Sequence, residues 1–138
     1  MAHRMMFVNL PVRDLARARA FFEKLGFSFN PVFTDDRAAC MIVSEVAHVM
    51  LIHETFYRTF TSRDLCDTTR QNEGLIAFSC ASRAEVDALV RTATEAGGSR
   101  AMDPIDCGSV YESSFYDPDG HHWAVIWMAQ RRWVRPHA

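Results

Sequence analysis

The sequence has no long apolar run. No stretch of its 138 residues approaches the roughly 20 apolar positions that a membrane span requires. The opening Met1-Ala2-His3-Arg4-Met5-Met6-Phe7-Val8 is too short in apolar residues, and lacks the cleavage signature, for a secretory signal. An excess of one charge is also missing: 15 Lys and Arg stand against 17 Asp and Glu, a net charge of −2. Neither nucleic acid nor an anionic membrane is therefore an expected partner. Cysteine is sparse and unpatterned. Cys40, Cys66, Cys80 and Cys107 are widely spaced with no C-x-x-C pair, which argues against a zinc site and fits reduced thiols in a cytoplasmic protein. There is no glycine-rich phosphate loop and no serine nucleophile in a strand-to-helix elbow.

What is present is an ordinary soluble composition, 49% hydrophobic and 23% charged. The length suits one domain, residues 1–138, large enough to bury a core without staples. Residues 5–12 read as a strand. Asp14 is placed as an N-cap, and Leu15, Ala18, Phe21, Phe22 and Leu25 recur at helical spacing before Gly26. Strands are expected at 27–33 (broken by Pro31), 38–44 and 48–53. A polar linker, about 54–73, carries Phe56, Tyr57, Phe60 and Leu65. So long a structureless loop is unusual, so a short helix is expected from Thr61 or Ser62.

The pattern then restarts. A strand at 74–80 leads to the capping box Ser82-x-x-Glu85 and a stripe of Val86, Leu89, Val90 and Ala93 closed by Gly97-Gly98. A strand near Arg100, a turn region at 103–108, a strand at 110–116, the turn Asp117-Pro118-Asp119-Gly120 and a final strand from His122 to Met128 complete it. Each half reads strand, helix, strand, strand, strand, and the two caps lie 68 residues apart. The reading is an internal duplication: module one about 5–53, linker about 54–73, module two about 74–130. One helix cannot cover both faces of a four-stranded sheet, so the modules are expected to join around a shared cleft, a natural small-molecule site.

The run from Phe7 to Phe27 (Phe-Val-Asn-Leu-Pro-Val-x-Asp-Leu-x-x-Ala-x-x-Phe-Phe-x-x-Leu-Gly-Phe) and the Asp117-Pro-Asp-Gly-His-x-Trp segment resemble the vicinal oxygen chelate superfamily, which includes glyoxalase I, extradiol dioxygenases, bleomycin-resistance proteins and fosfomycin-resistance enzymes. The resemblance covers almost the whole chain. It implies an α+β fold of two βαβββ modules, a glyoxalase-like curled mixed sheet around a central cleft, and commonly a homodimer. Function varies across the superfamily. Metal-using members take His, Glu or Gln ligands from four strand positions. Carried over, these are Phe7, Met50, Leu75 and Ala124. None supplies a nitrogen or oxygen donor, so the resemblance implies no metal and no cofactor here.

Strand alternation gives the cleft's remaining lining: Asn9 beside Phe7, His48 and Ile52 beside Met50, Ala77 beside Leu75, His122 and Ile126 beside Ala124. His48 and His122 hold equivalent places in the two halves. They are either an acid/base pair, or a displaced two-histidine metal site, or two histidines solvated at strand starts. Asn9, expected to be buried, either orients a ligand or bonds locally. On strand 110–116, Tyr111, Ser113 and Phe115 share one face and Glu112, Ser114 and Tyr116 the other; which one lines the cleft is open, and Glu112 is the only carboxylate there. His53, Glu54 and His121 are expected to point outward, and Met5, Met6, Met41 and Met50 to pack as core. The basic tail 130–138 reads most simply as a solvated terminus, with docking of Trp133 on a neighbouring subunit as the alternative. The expectation is a small-molecule binding protein with an apolar, metal-independent cleft. The alternative is a lyase, isomerase or dioxygenase working through His48 and His122.

Overall fold

The computed structural model describes residues 4–129; the tail with Trp133 lies outside them. Strand β1 (Met6–Val12) leads into helix α1 (Leu15–Lys24), whose N-cap Asp14 accepts a hydrogen bond from Arg17 N at 3.0 Å. After β2 (Ser28–Phe29), β3 (Ala38–Ile42) and β4 (Ala47–His53), a short helix α2 (Glu54–Tyr57) continues as a 3-10 turn through Phe60. Module two runs β5 (Leu75–Ser79), α3 (Arg83–Glu95), β6 (Ser99–Arg100), β7 (Ile105–Asp106), β8 (Val110–Tyr116) and β9 (His122–Met128). The capping box forms: Ser82 Oγ accepts from Glu85 N at 3.1 Å, and Glu85 reaches back to Ala81 N.

The strand expected over 27–33 survives only as β2, because Asn30 caps a 3-10 turn at Pro31–Phe33, where Pro31 already has the required φ. The linker helix begins at Glu54 rather than near Thr61. His53 Nδ1 accepts from Thr55 N, so the chain turns helical directly off β4. The Phe56 and Phe60 rings, four residues apart, then meet at 4.9 Å.

The chain forms two mixed sheets, ordered β1-β4-β3-β2 and β5-β9-β8-β6, with β7 also paired to β8. In each, the first strand lies parallel to the last and the penultimate strand antiparallel to it. Strands β1 and β5 are therefore corresponding edges. One core lies between the sheets. Leu10, Val12, Val49 and Leu51 from the first sheet share it with Phe115, Trp123 and Val125 from the second and with both long helices. The aromatic centre crosses the module boundary: Phe22 to Trp123 at 4.9 Å, Phe27 to Phe78 at 5.3 Å and Phe21 to Phe115 at 6.0 Å. Truncating a buried Phe of this kind costs about 3–5 kcal/mol. Met41 joins this core, but Met5 and Met6, expected there, are exposed at the start of the β1 edge, and Met50 is half-buried on the opposite face.

Because side chains alternate, the faces expected to line a cleft lie on the far side of each sheet from the shared core. Each is an outer face, and no strand pairing joins β1 to β5.

Candidate functional site

The register reproduces the internal symmetry side chain by side chain. Phe7 pairs with His48 and Asn9 with Met50 across β1 and β4. Leu75 pairs with His122 and Ala77 with Ala124 across β5 and β9. The open question about β8 is answered by its pairing: Glu112, Ser114 and Tyr116 lie opposite Ile126, Ala124 and His122. They share the outer face, whereas Ser113 and Phe115 turn to the core side.

On the first outer face, the Phe7 ring stacks on His48 with centroids 5.1 Å apart and planes 17° from parallel. His48 is buried, and its Nδ1 has no hydrogen-bond partner among the described residues. Asn9 is corrected: it is exposed and its amide donates locally to Phe7 O at 3.2 Å. Ile52 is buried where α2 folds back over the sheet. On the second face, Leu75 and Ala77 are exposed, Ile126 and His122 are half-buried, and Ala124 is buried at the sheet centre. His122 lies 5.1 Å from the Tyr116 ring. The two histidines are thus equivalent in place but belong to different sheets, and the chain does not bring them together into one pocket. Phe7 and Leu75, both about half exposed, are large apolar groups left at the two corresponding edges.

Three cavities touch these faces. One of about 980 Å³ lies at the β5 edge between α1 and α3, lined by Phe27, Val43, Ala77, Phe78, Ile126 and Met128 among others. One of about 420 Å³ is polar and includes Arg70, Glu73, Tyr116, His121 and His122. One of about 260 Å³ is lined by Asn9, Tyr57, Phe60 and Thr61.

The turn at 117–120 is an inter-module clasp. Asp117 Oδ1 accepts from Asp119 N at 2.9 Å and His121 N at 3.0 Å, and Oδ2 accepts from Trp123 Nε1 at 3.0 Å. Burial pushes the Asp117 carboxyl above the ordinary carboxylate range, against the opposing pull of His121 and the Trp123 bond. Asp119 Oδ1 accepts from Arg13 N at 2.9 Å and lies 3.5 Å from Arg17 Nη2, which binds the turn to the first turn of α1. Thr68 Oγ1 donates to Asp119 O, tying in the linker. His121, expected outside, is buried. It sits between modules, and its motif position after the turn was the only sign of that in the sequence.

Residues 4–44 match the model of the bleomycin resistance protein-like N-terminal family. A solved Staphylococcus aureus protein, the hypothetical protein SA1046, is 30% identical over 92% of this chain and 94% of its own, with a TM-score of 0.77. The chain belongs to the vicinal oxygen chelate superfamily. A glyoxalase/bleomycin resistance protein/dioxygenase family enzyme from Burkholderia phytofirmans shares the fold (TM-score 0.75, 17% identity, 91% of this chain and 99% of that one). So does a lactoylglutathione lyase from Agrobacterium tumefaciens (TM-score 0.63, 16% identity, 91% and 94%). No curated protein sequence matches.

A divalent cation does not fit the four positions to which the resemblance assigns metal ligands. Phe7, Met50, Leu75 and Ala124 supply a phenyl ring, a thioether, an isobutyl group and a methyl group there. None offers the nitrogen or oxygen donor such an ion needs. Among the described residues no group of three or more His, Cys, Asp or Glu is gathered elsewhere to replace them. Nor is any helix there long and apolar enough to cross a membrane.

Proposed function

We propose that this superfamily member binds a small amphipathic molecule without a divalent metal, in a cleft closed by two copies of the chain. The observation that carries the reading is the inherited quartet itself: Phe7, Met50, Leu75 and Ala124 stand where metal ligands would be. Apolar lining of this kind supplies affinity, and a few polar groups set orientation. Phe7, Asn9, Met50 and Ile52 contribute from the first face, and Leu75, Ala77, Ala124 and Ile126 from the second. Glu112, Tyr116 and His122 are the polar groups beside them. Each outer face is half of a cleft, turned away from its own chain's other half. A homodimer that sets the first face of one copy against the second face of another closes the site and covers the apolar edges at Phe7 and Leu75.

Two measurements on untagged protein test this. A sizing experiment should give a dimer, and a thermal-shift screen of amphipathic small molecules should raise the melting temperature, as any ligand of the folded state does. A monomer without ligand response would end the reading. A second reading, a glyoxalase-type lyase or isomerase, or a dioxygenase, draws on the equivalence of His48 and His122. In a crossed dimer these would face each other. One equivalent of Ni, Zn or Fe per chain, lost in His48→Ala, would establish it in place of the first.

A further inference from the structure

Three soft or borderline donors meet on the outer face of the first sheet. Cys40 on β3 lies directly opposite Met50 on β4, and His48 is two residues earlier on the same strand, opposite Ile42. Paired residues share a face, as do residues two apart on a strand, so all three side chains rise from one patch. We propose that Cys40, His48 and Met50 form a binding site for a soft monovalent cation, Cu(I) in its natural form and Ag(I) as its redox-inert counterpart.

Spacing permits it. Directly opposed Cβ atoms in an antiparallel pair lie about 4.5–5.5 Å apart, and residues two apart on one strand about 7 Å. A thiol, a thioether and an imidazole can converge on one ion across those gaps. The donor chemistry selects the ion: thiolate and thioether favour Cu(I), imidazole also suits copper, and Met is no ligand for zinc or magnesium. No carboxylate shares the patch, whose other members are Phe7, Asn9, Ala38, Ile42 and Ile52. A second observation points to a missing partner. His48 Nδ1 is buried and has none among the described residues, a state that ordinarily costs free energy and calls for an explanation. The Phe7 ring stacked on His48 fixes the imidazole plane. The other three cysteines lie off this face, Cys66 in the linker and Cys80 and Cys107 in module two.

The Cys40 thiol gives its proton to solvent as its sulfur lone pair binds the ion. Met50 and neutral His48 each add a lone pair, and copper remains Cu(I), so no electron moves. The thiolate cancels the ion's charge, which suits a site with apolar neighbours. The site shares Met50 with the proposed cleft but needs only the first sheet, so ion binding with no organic ligand present is read separately from the small-molecule reading.

The test uses the full chain with Cys66→Ser, Cys80→Ala and Cys107→Ser, leaving Cys40 as the sole thiol. Cu(I) is titrated anaerobically against bathocuproine disulfonate, and Ag(I) in parallel, with no organic ligand present. One equivalent per chain is expected. Met50→Leu, which keeps apolar volume and hence folding, should weaken binding at least about tenfold, the scale on which even outer-shell partners of a metal act. Cys40→Ser should abolish it, with circular dichroism confirming the fold. Absence of stoichiometric binding, or an affinity unchanged by Met50→Leu, would overturn the assignment.

Discussion

The imidazole Nε2 of His121 lies 2.7 Å from the carbonyl oxygen of Pro11, 110 residues earlier in the chain. A carbonyl oxygen only accepts, so Nε2 carries the proton. On its other side Nδ1 lies 2.7 Å from Glu73 Oε1. One buried ring thus joins the end of β1, the linker and the β8–β9 turn. Replacing it with alanine leaves the buried Pro11 carbonyl unmatched. His121→Ala should destabilise the fold by about 2 kcal/mol, on the order of 5–10 °C in Tm for a chain of this size, read by calorimetry or chemical denaturation. An unchanged Tm would show that the clasp rests on Asp117 and Asp119 alone.

Gly120 should tolerate no side chain. Its φ is +88°, and a Cβ there would clash with the backbone carbonyl oxygen of Thr68. Gly120→Ala combines a left-handed backbone with a clash against backbone, a cost of roughly 2 kcal/mol or more. Limited proteolysis should then cut first near residues 66–70, because the linker segment beside the turn is what must give way. Cleavage unchanged from the parent protein would count against this.

The cysteines should separate by reactivity. Burial, with the nearby Glu85 carboxylate, pushes the Cys80 thiol up to about 12, and burial also raises Cys40. Exposed Cys107 should react first with a thiol-specific reagent at pH 8, while Cys40 and Cys80 stay silent until the chain unfolds. The sign of the pH effect follows. The folded chain holds the Cys80 proton more tightly than the unfolded chain, so this contribution to stability is complete below about pH 9 and is lost as pH rises through 9 towards 12. Cys80→Ala should flatten the fall in denaturation midpoint over that window.

Phe7 and Leu75 test the crossed-dimer reading without disturbing the core. Both are about half exposed, so Phe7→Arg should change the stability of the single chain by no more than about 0.5 kcal/mol. It should nevertheless convert a dimer to a monomer in sedimentation and abolish the ligand-induced melting shift. A Phe7→Arg protein that still dimerises and still responds to ligand would place the interface elsewhere.

What the residues alone determined is the local and periodic part of the fold. Asp14 and Ser82 were readable as caps because a side-chain oxygen two or three residues from the N–H it bonds is a local matter. Strands β8 and β9 were readable to the residue because the turn between them fixes register on both sides. Equivalence of Phe7 with Leu75, and of His48 with His122, came from the repeat and holds in the pairing. Tertiary structure alone decided the rest. Phe22 could meet Trp123, and His121 could be buried against Pro11, only through contacts about 100 residues apart in the chain. Which face of each sheet turns away from the core was settled by packing both helix-covered faces together. Period-two alternation marks two faces and cannot by itself say which of them another part of the chain will cover.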